Sequence, residues 1–132
     1  MAGPNFGSGS SREHAVWALE DAGFHVVIAP SFADIFRNNC FKVGLLPVEL
    51  PQESVRALMD AVLDDPETEI TVDLDALRVS ATVVHESFEI DPYTRWRLLE
   101  GLDDVDLTLR HAAAIDAYER ARPARLPSVP RP

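Results

Sequence analysis

Two short apolar runs, each preceded by a helical pattern, constrain the fold of this chain most. Residues 24–29 carry Val-Val-Ile at their centre, and residues 44–50 form a second apolar run. Runs of this kind are typical of strands buried in a parallel sheet, and the segments before them (10–23 and 31–41) have the apolar spacing of helices. The order helix, strand, helix, strand therefore predicts an α/β fold.

The patterns after residue 50 predict more helices and a second group of strands. A helix opens at Pro51, and its apolar residues follow the spacing of one buried stripe (Val55, Leu58, Met59, Val62, Leu63). Residues 70–74 and 81–90 are predicted strands of a half-exposed sheet, because apolar and β-branched residues dominate them.

The last third of the chain is predicted to be helical and then disordered. Asp91-Pro92 predicts the start of a helix over 93–100, and 103–121 is predicted to be mainly helical, with Val105, Leu109, Ala112 and Ile115 facing inward. Four prolines predict a disordered tail at 123–132. One domain is therefore expected over residues 1–122.

Charge and cysteine content exclude several classes of function. The 132 residues carry a net charge of −10, which disfavours nucleic acid as a partner. The single cysteine, Cys40, excludes a disulfide framework and an iron–sulfur cluster held by this chain alone, and no metal site is predicted. No secretory leader or long apolar stretch is evident, so a cytoplasmic protein without a membrane segment is expected.

The segment Gly7-Ser-Gly-Ser-Ser-Arg-Glu-His14 is the best candidate for a functional site. A glycine-rich loop that leads into a helix presents free backbone N–H groups and the positive end of the helix dipole to an anion. Ser10 and Glu13 fit a capping box, so Ser10 is equally consistent with a structural cap and a catalytic role. Arg12 in the first turn opposes the helix dipole unless an anion binds there, and guanidinium suits a carboxylate or phosphate.

Several blocks of residues in a fixed order resemble one known family. They are Asn5-Phe-Gly-Ser-Gly-Ser-Ser-Arg-Glu-His-Ala15, Phe32-Ala-Asp-Ile-Phe-Arg-Asn-Asn-Cys-Phe-Lys42, Gly44-Leu-Leu-Pro47 and Trp96-Arg-Leu-Leu-Glu-Gly-Leu-Asp-Asp104. The sequence is similar to the small-subunit family of the 3-isopropylmalate dehydratases, within the aconitase superfamily. The resemblance implies the swivelling β/β/α domain of that superfamily.

The same resemblance implies a hydro-lyase of leucine biosynthesis that works with a second chain. In this family a large subunit holds a [4Fe–4S] cluster, and the small subunit closes the site around a small dicarboxylate substrate. Ser10 matches the catalytic base, Arg12 matches the residue that binds a substrate carboxylate, and Ser11 matches a residue that hydrogen-bonds the substrate. His14, one turn into the helix, is predicted to orient the serine loop.

Alternatives remain beside this interpretation. Family members have further strands and a substrate-reading loop before the glycine-rich segment, so we expect a domain that lacks its N-terminal strands. The alternatives are an inactive interaction module of the same family, and a small subunit that acts on citramalate or homoaconitate. A third is a domain that binds a phosphate ligand at the same helix N-terminus.

Overall fold

The computed structural model describes residues 1–9 and 12–123 and has an α/β architecture, as predicted. In chain order the elements are α1 (His14–Asp21), β1 (Val26–Ala29), α2 (Asp34–Lys42), β2 (Leu46–Glu49), α3 (Gln52–Asp64), β3 (Thr71–Asp73), β4 (Arg78–Ala81), β5 (Val84–Ser87), α4 (Pro92–Leu99), α5 (Asp104–Leu109) and α6 (Ala112–Ala121). Apart from Pro123, the predicted tail lies outside the described residues.

Strand β1 lies between β2 and the first residues of the chain. β1 and β2 pair in parallel, with Val26 opposite Leu46, and α2 makes the crossover between them. On the other side of β1, the Ala2 amide donates to the Ile28 carbonyl (2.9 Å). The two predicted strands of the α/β unit are therefore confirmed, and the N-terminal residues extend along the free edge of β1.

The two faces of this sheet carry separate hydrophobic clusters because strand side chains alternate in direction. Val27 and Ala29 pack with residues of α1 and α2 on one face. Ile28 packs on the other face with α3 and with the strands β4 and β5. The face covered by α1 and α2 carries the glycine-rich segment.

Strands β3, β4 and β5 form an antiparallel sheet in that order, and here one prediction was wrong. The expected strand at 70–74 is present as β3, but the expected strand at 81–90 is broken. Thr82 and Val83 form a two-residue turn between β4 and β5, where Ala81 pairs with Val84. That turn contains none of the Asn or Gly residues that usually mark such hairpins, so the β-branched content of the segment concealed it.

Residues 103–121 are mainly helical, as predicted, but the four side chains expected to face inward are exposed. α5 ends at Leu109 and α6 begins at Ala112. Val105 and Leu109 are 62% and 60% exposed, and Ile115 is 37% exposed. Helical spacing shows which side chains share one face of a helix, but it does not show whether that face packs against the core. Helix α6 is exposed along residues 112–121.

The N-cap residue of helix α4 is Asp91, and its contribution to stability depends on pH. The Asp91 carboxylate accepts hydrogen bonds from the Thr94 amide (2.9 Å) and hydroxyl (3.0 Å), and these hold its pKa below the usual value. Because the folded-state pKa is lowered, this contribution is present above the pKa of the unfolded chain and is lost as pH falls through the folded-state value.

We expect Asp91→Asn to flatten the acid branch of the stability curve, because asparagine still accepts the amide hydrogen bond but does not titrate. Thermal melting by circular dichroism from pH 7 to pH 2 should show wild type losing more of its Tm than the variant. Parallel curves for the two proteins would contradict the role of this carboxylate.

Candidate active site

The entrance to the glycine-rich segment is pinned to the loop between β1 and α2. The Phe6 amide donates to the Ser31 carbonyl (3.0 Å), and the Ala33 amide donates to the Phe6 carbonyl (2.9 Å). One residue earlier, the Asn5 amide donates to the Ser31 hydroxyl at 2.8 Å. Asn5 has a φ of 54°, a left-handed conformation that asparagine tolerates better than most residues. Consecutive backbone groups therefore hold this entrance in place.

Gly7 is required where it stands because of both its backbone and its neighbour. Its φ is +83°, and a Cβ there would lie 2.2 Å from Cγ of Phe36. Phe36 is itself 2% exposed and belongs to an aromatic group with Phe6 and Phe32, with 5.2 Å between the ring centroids of Phe6 and Phe36. The backbone at Gly7 therefore packs directly against a buried ring of α2.

Ser10 and Ser11, the predicted base and substrate-binding residue, lie outside the described residues. The structure describes what stands on either side of them. Before them, the Ser8 amide donates to the Asn5 carbonyl at 3.3 Å and closes a turn. After them, Arg12 is exposed just ahead of the helix that begins at His14.

The expected capping box at the start of α1 was wrong. Glu13, rather than Ser10, is the N-cap residue, and its carbonyl accepts from Val16 (2.9 Å) and Trp17 (3.1 Å). Its carboxylate forms an ion pair with Lys42 at 3.3 Å. Arg12 consequently precedes the helix rather than lying in its first turn.

This change leaves the electrostatics of an anion site in place. The positive end of the α1 dipole and the Arg12 cation remain adjacent in the chain, although the amides of residues 15–17 donate to the Arg12 and Glu13 carbonyls. His14 is exposed, and its ring lies 4.8 Å from the ring of Trp17. The role of His14 beside the serine loop stays a prediction.

Cys40 is a packed thiol on the inner side of α2. It is 0% exposed, and burial raises its pKa to about 12. The thiol is therefore protonated at physiological pH and is not suited to bind iron, which requires the thiolate. Within residues 1–9 and 12–123, no three His, Cys, Asp or Glu side chains are grouped to hold a metal ion.

We expect native Cys40 to resist thiol reagents. With a pKa of about 12 instead of 9.0, its thiolate fraction at pH 8 falls by about a thousandfold relative to the unfolded chain. Reaction with Ellman's reagent, followed with and without guanidinium, measures both rates on the one cysteine of the sequence. Equal rates in the two conditions would show that Cys40 is accessible.

Three family models together match most of the chain. The aconitase C-terminal domain matches residues 1–53, the model described as LeuD_N matches 56–92, and the C-terminal domain of the 3-isopropylmalate dehydratase small subunit matches 104–127. The first match contains the parallel β1–β2 unit and the whole glycine-rich segment. Across the described part of the chain, no helix has the length and apolarity to span a bilayer.

Similar proteins cover the chain almost completely. Two 3-isopropylmalate dehydratase small subunits, from Rubrobacter xylanophilus and Acidothermus cellulolyticus, are 60% and 62% identical over 129 residues, which is 98% of this chain and 66% of each relative. The chain therefore spans just under two thirds of the length of these relatives. A crystal structure of 3-isopropylmalate dehydratase (leuD) from Methanocaldococcus jannaschii matches with a TM-score of 0.62 and 32% identity, over 89% of this chain and 66% of that one.

The fold and the glycine-rich segment before α1 define a small-subunit domain of the aconitase superfamily. The two sequence relatives and the solved structure all carry the name 3-isopropylmalate dehydratase, which narrows the class of protein further. The chain belongs to the family of 3-isopropylmalate dehydratase small subunits.

Proposed function

We propose that this chain is the small subunit of a 3-isopropylmalate dehydratase that acts in leucine biosynthesis, in the cytoplasm, together with a cluster-bearing large subunit. The observation that carries the proposal is the 60–62% identity to small subunits of that name over 98% of the chain. The pinned glycine-rich segment, with Arg12 just ahead of a helix N-terminus, supports it independently, because it is suited to a small carboxylate.

In this proposal Arg12, beside the positive end of the α1 dipole, binds one carboxylate of 2-isopropylmalate. Guanidinium makes paired hydrogen bonds to a carboxylate and keeps its charge at any working pH. The overall charge of −10 opposes an incoming dianion, so a local cation at Arg12 is needed to bind it.

The Ser10 hydroxyl, as its alkoxide, would remove the proton from the carbon beside a carboxylate. The C–H electron pair forms the carbon–carbon double bond while hydroxide leaves the neighbouring carbon, and the product is a cis-alkene diacid. Rehydration returns the proton and the hydroxyl with their carbons exchanged. The Arg12 charge and the positive end of the α1 dipole would lower the pKa of the hydroxyl, which is otherwise far too high for this task.

The described residues of this chain do not fit a [4Fe–4S] cluster, because Cys40 is buried with a neutral thiol. We therefore place the cluster in the large subunit.

Reconstitution with a cluster-loaded large subunit from the same source tests the proposal. We expect the two chains to co-elute and to convert 2-isopropylmalate, with slower turnover of citramalate and homoaconitate. Co-elution without turnover would favour the inactive interaction module, and a preference for another diacid would correct the substrate. Phosphate raising the Tm of the chain more than a dicarboxylate would favour the phosphate-binding alternative.

Arg12→Lys should weaken substrate binding more than it slows the chemistry. Lysine keeps the charge but loses the paired hydrogen bonds, so we expect KM to rise about 10-fold or more with a smaller change in kcat. Steady-state kinetics of the reconstituted complex measure both constants, and Arg56→Lys on the exposed side of α3 is the matched control. An unchanged KM for Arg12→Lys would remove Arg12 as the carboxylate-binding residue.

A further inference from the structure

We propose that helix α2 positions the catalytic segment by holding both of its ends, through Phe36 at Gly7 and through Lys42 at Glu13. This inference rests on the proposed function, because it assumes that Ser10 and Arg12 act on the substrate. It assigns roles to two side chains that lie outside the glycine-rich segment itself.

The first contact fixes where the segment begins. Gly7 lies so close to Phe36 that an added Cβ would fall 2.2, 2.5 and 2.6 Å from three atoms of that side chain. Phe36 is held in turn by the rings of Phe6 and Phe32, with centroids 5.2 and 6.3 Å away. A buried, closely packed ring therefore constrains the backbone position of Gly7.

The second contact fixes where the segment ends. Lys42 Nζ lies 3.3 Å from Glu13 Oε1, and Glu13 directly follows Arg12. Both side chains are about half exposed (50% and 48%), so the pair contributes little to the stability of the fold. An orienting role at the helix N-cap does not require a large contribution to stability.

Both contacts come from one rigid element. Phe36 and Lys42 are six residues apart on α2, which corresponds to about 9 Å along the helix axis. Residues 7 and 13, which they hold, are separated by the five residues that include the proposed base and the carboxylate-binding arginine. The spacing of Phe36 and Lys42 on α2 therefore fixes the spacing between the two ends of the segment. Catalysis depends on such fixed geometry, because a displacement near 1 Å can lower a rate by about 100-fold.

The chain offers a matched control for each contact. Phe88 is a buried phenylalanine (5% exposed) in the other hydrophobic cluster, away from the segment. Arg37 is on α2 like Lys42 and forms an ion pair of similar length (3.4 Å) and exposure with Glu49 of β2. Phe88→Leu and Arg37→Met thus reproduce the loss of packing and of an ion pair without touching the segment.

The experiment compares Phe36→Leu with Phe88→Leu, and Lys42→Met with Arg37→Met, in the complex with the cluster-loaded large subunit. Measured where circular dichroism shows each variant to be folded, kcat should fall about 10-fold or more in Phe36→Leu and about threefold or more in Lys42→Met. KM should change less than kcat, and Lys42→Arg should restore the rate. Both controls should stay within about twofold of wild type.

Amide exchange provides a readout that does not need activity. In the isolated small chain, the Ser8 and Gly9 amides should exchange faster in Phe36→Leu, by about 10-fold, and not in Phe88→Leu. Because Lys42 is exposed, we expect Lys42→Met to fold, and it keeps the test valid if Phe36→Leu does not fold.

Each result decides one of the two proposals. Controls that lose as much rate as the test variants, or unchanged exchange at Ser8 and Gly9 in Phe36→Leu, would overturn the positioning role. If the wild-type complex does not convert any of the diacids, the proposed function fails, and the exchange comparison still decides whether α2 holds the segment.

Discussion

Ser10→Ala should abolish the turnover of 2-isopropylmalate while leaving assembly with the large subunit intact. A positioned general base typically contributes 10²- to 10⁴-fold, so we expect kcat to fall by about that factor. The substitution removes only one hydroxyl from a segment that is anchored elsewhere, at Phe6 and Glu13, so the chain should still fold. The measurement is kcat of the reconstituted complex, with size-exclusion chromatography to show that both chains are present.

Ser8→Ala is the matched control for this change, because Ser8 is an exposed serine of the same segment that lies outside the proposed site. It should retain kcat within about twofold. If Ser10→Ala instead keeps its activity and loses only thermal stability, Ser10 has a structural role and is not the base.

Gly7→Ala should destabilise the fold more than any other single alanine substitution at a glycine of the described residues. The positive φ of +83° costs a side chain about 1–2 kcal/mol, and forcing a methyl group into the Phe36 ring adds about 1–3 kcal/mol. We therefore expect the free energy of unfolding to fall by about 2–5 kcal/mol. Urea unfolding followed by circular dichroism measures this loss.

Gly23 and Gly44 separate the two causes. They have φ values of +85° and +82°, and an added Cβ at either position would meet nothing within 4 Å. Gly23→Ala and Gly44→Ala should therefore show only the backbone cost of about 1–2 kcal/mol. If Gly7→Ala costs no more than these two, the close contact with Phe36 is not a constraint on the segment.

Local patterns in the sequence predicted the elements around the site well. The apolar runs of β1 and β2 are buried on both faces in the structure, so hydrophobicity alone identified them. Asp91-Pro92 marked the start of α4 correctly, because caps act through neighbouring residues only. The glycine-rich segment was also evident without the structure, since its composition excludes a regular helix or strand.

Predictions that depended on distant neighbours were less successful. The capping box at Ser10 and Glu13 matched a local rule, but Lys42, 29 residues away, pairs with the Glu13 carboxylate. Val105 and Leu109 had helical spacing, yet α5 does not bury them within the described residues. A spacing rule records which side chains share a face and does not record what that face meets.

The sequence by itself determined the α/β class, the family resemblance and the segment in which the chemistry is proposed, because these depend on residue types in a local order. Only the tertiary structure decided how that segment is held. Phe36 in contact with Gly7, and Lys42 beside Glu13, are pairs separated by 29 residues in the chain, and no local periodicity relates them. The crossover from β1 through α2 to β2 folds these distant residues together, and side-chain packing at that crossover sets the geometry of the proposed site.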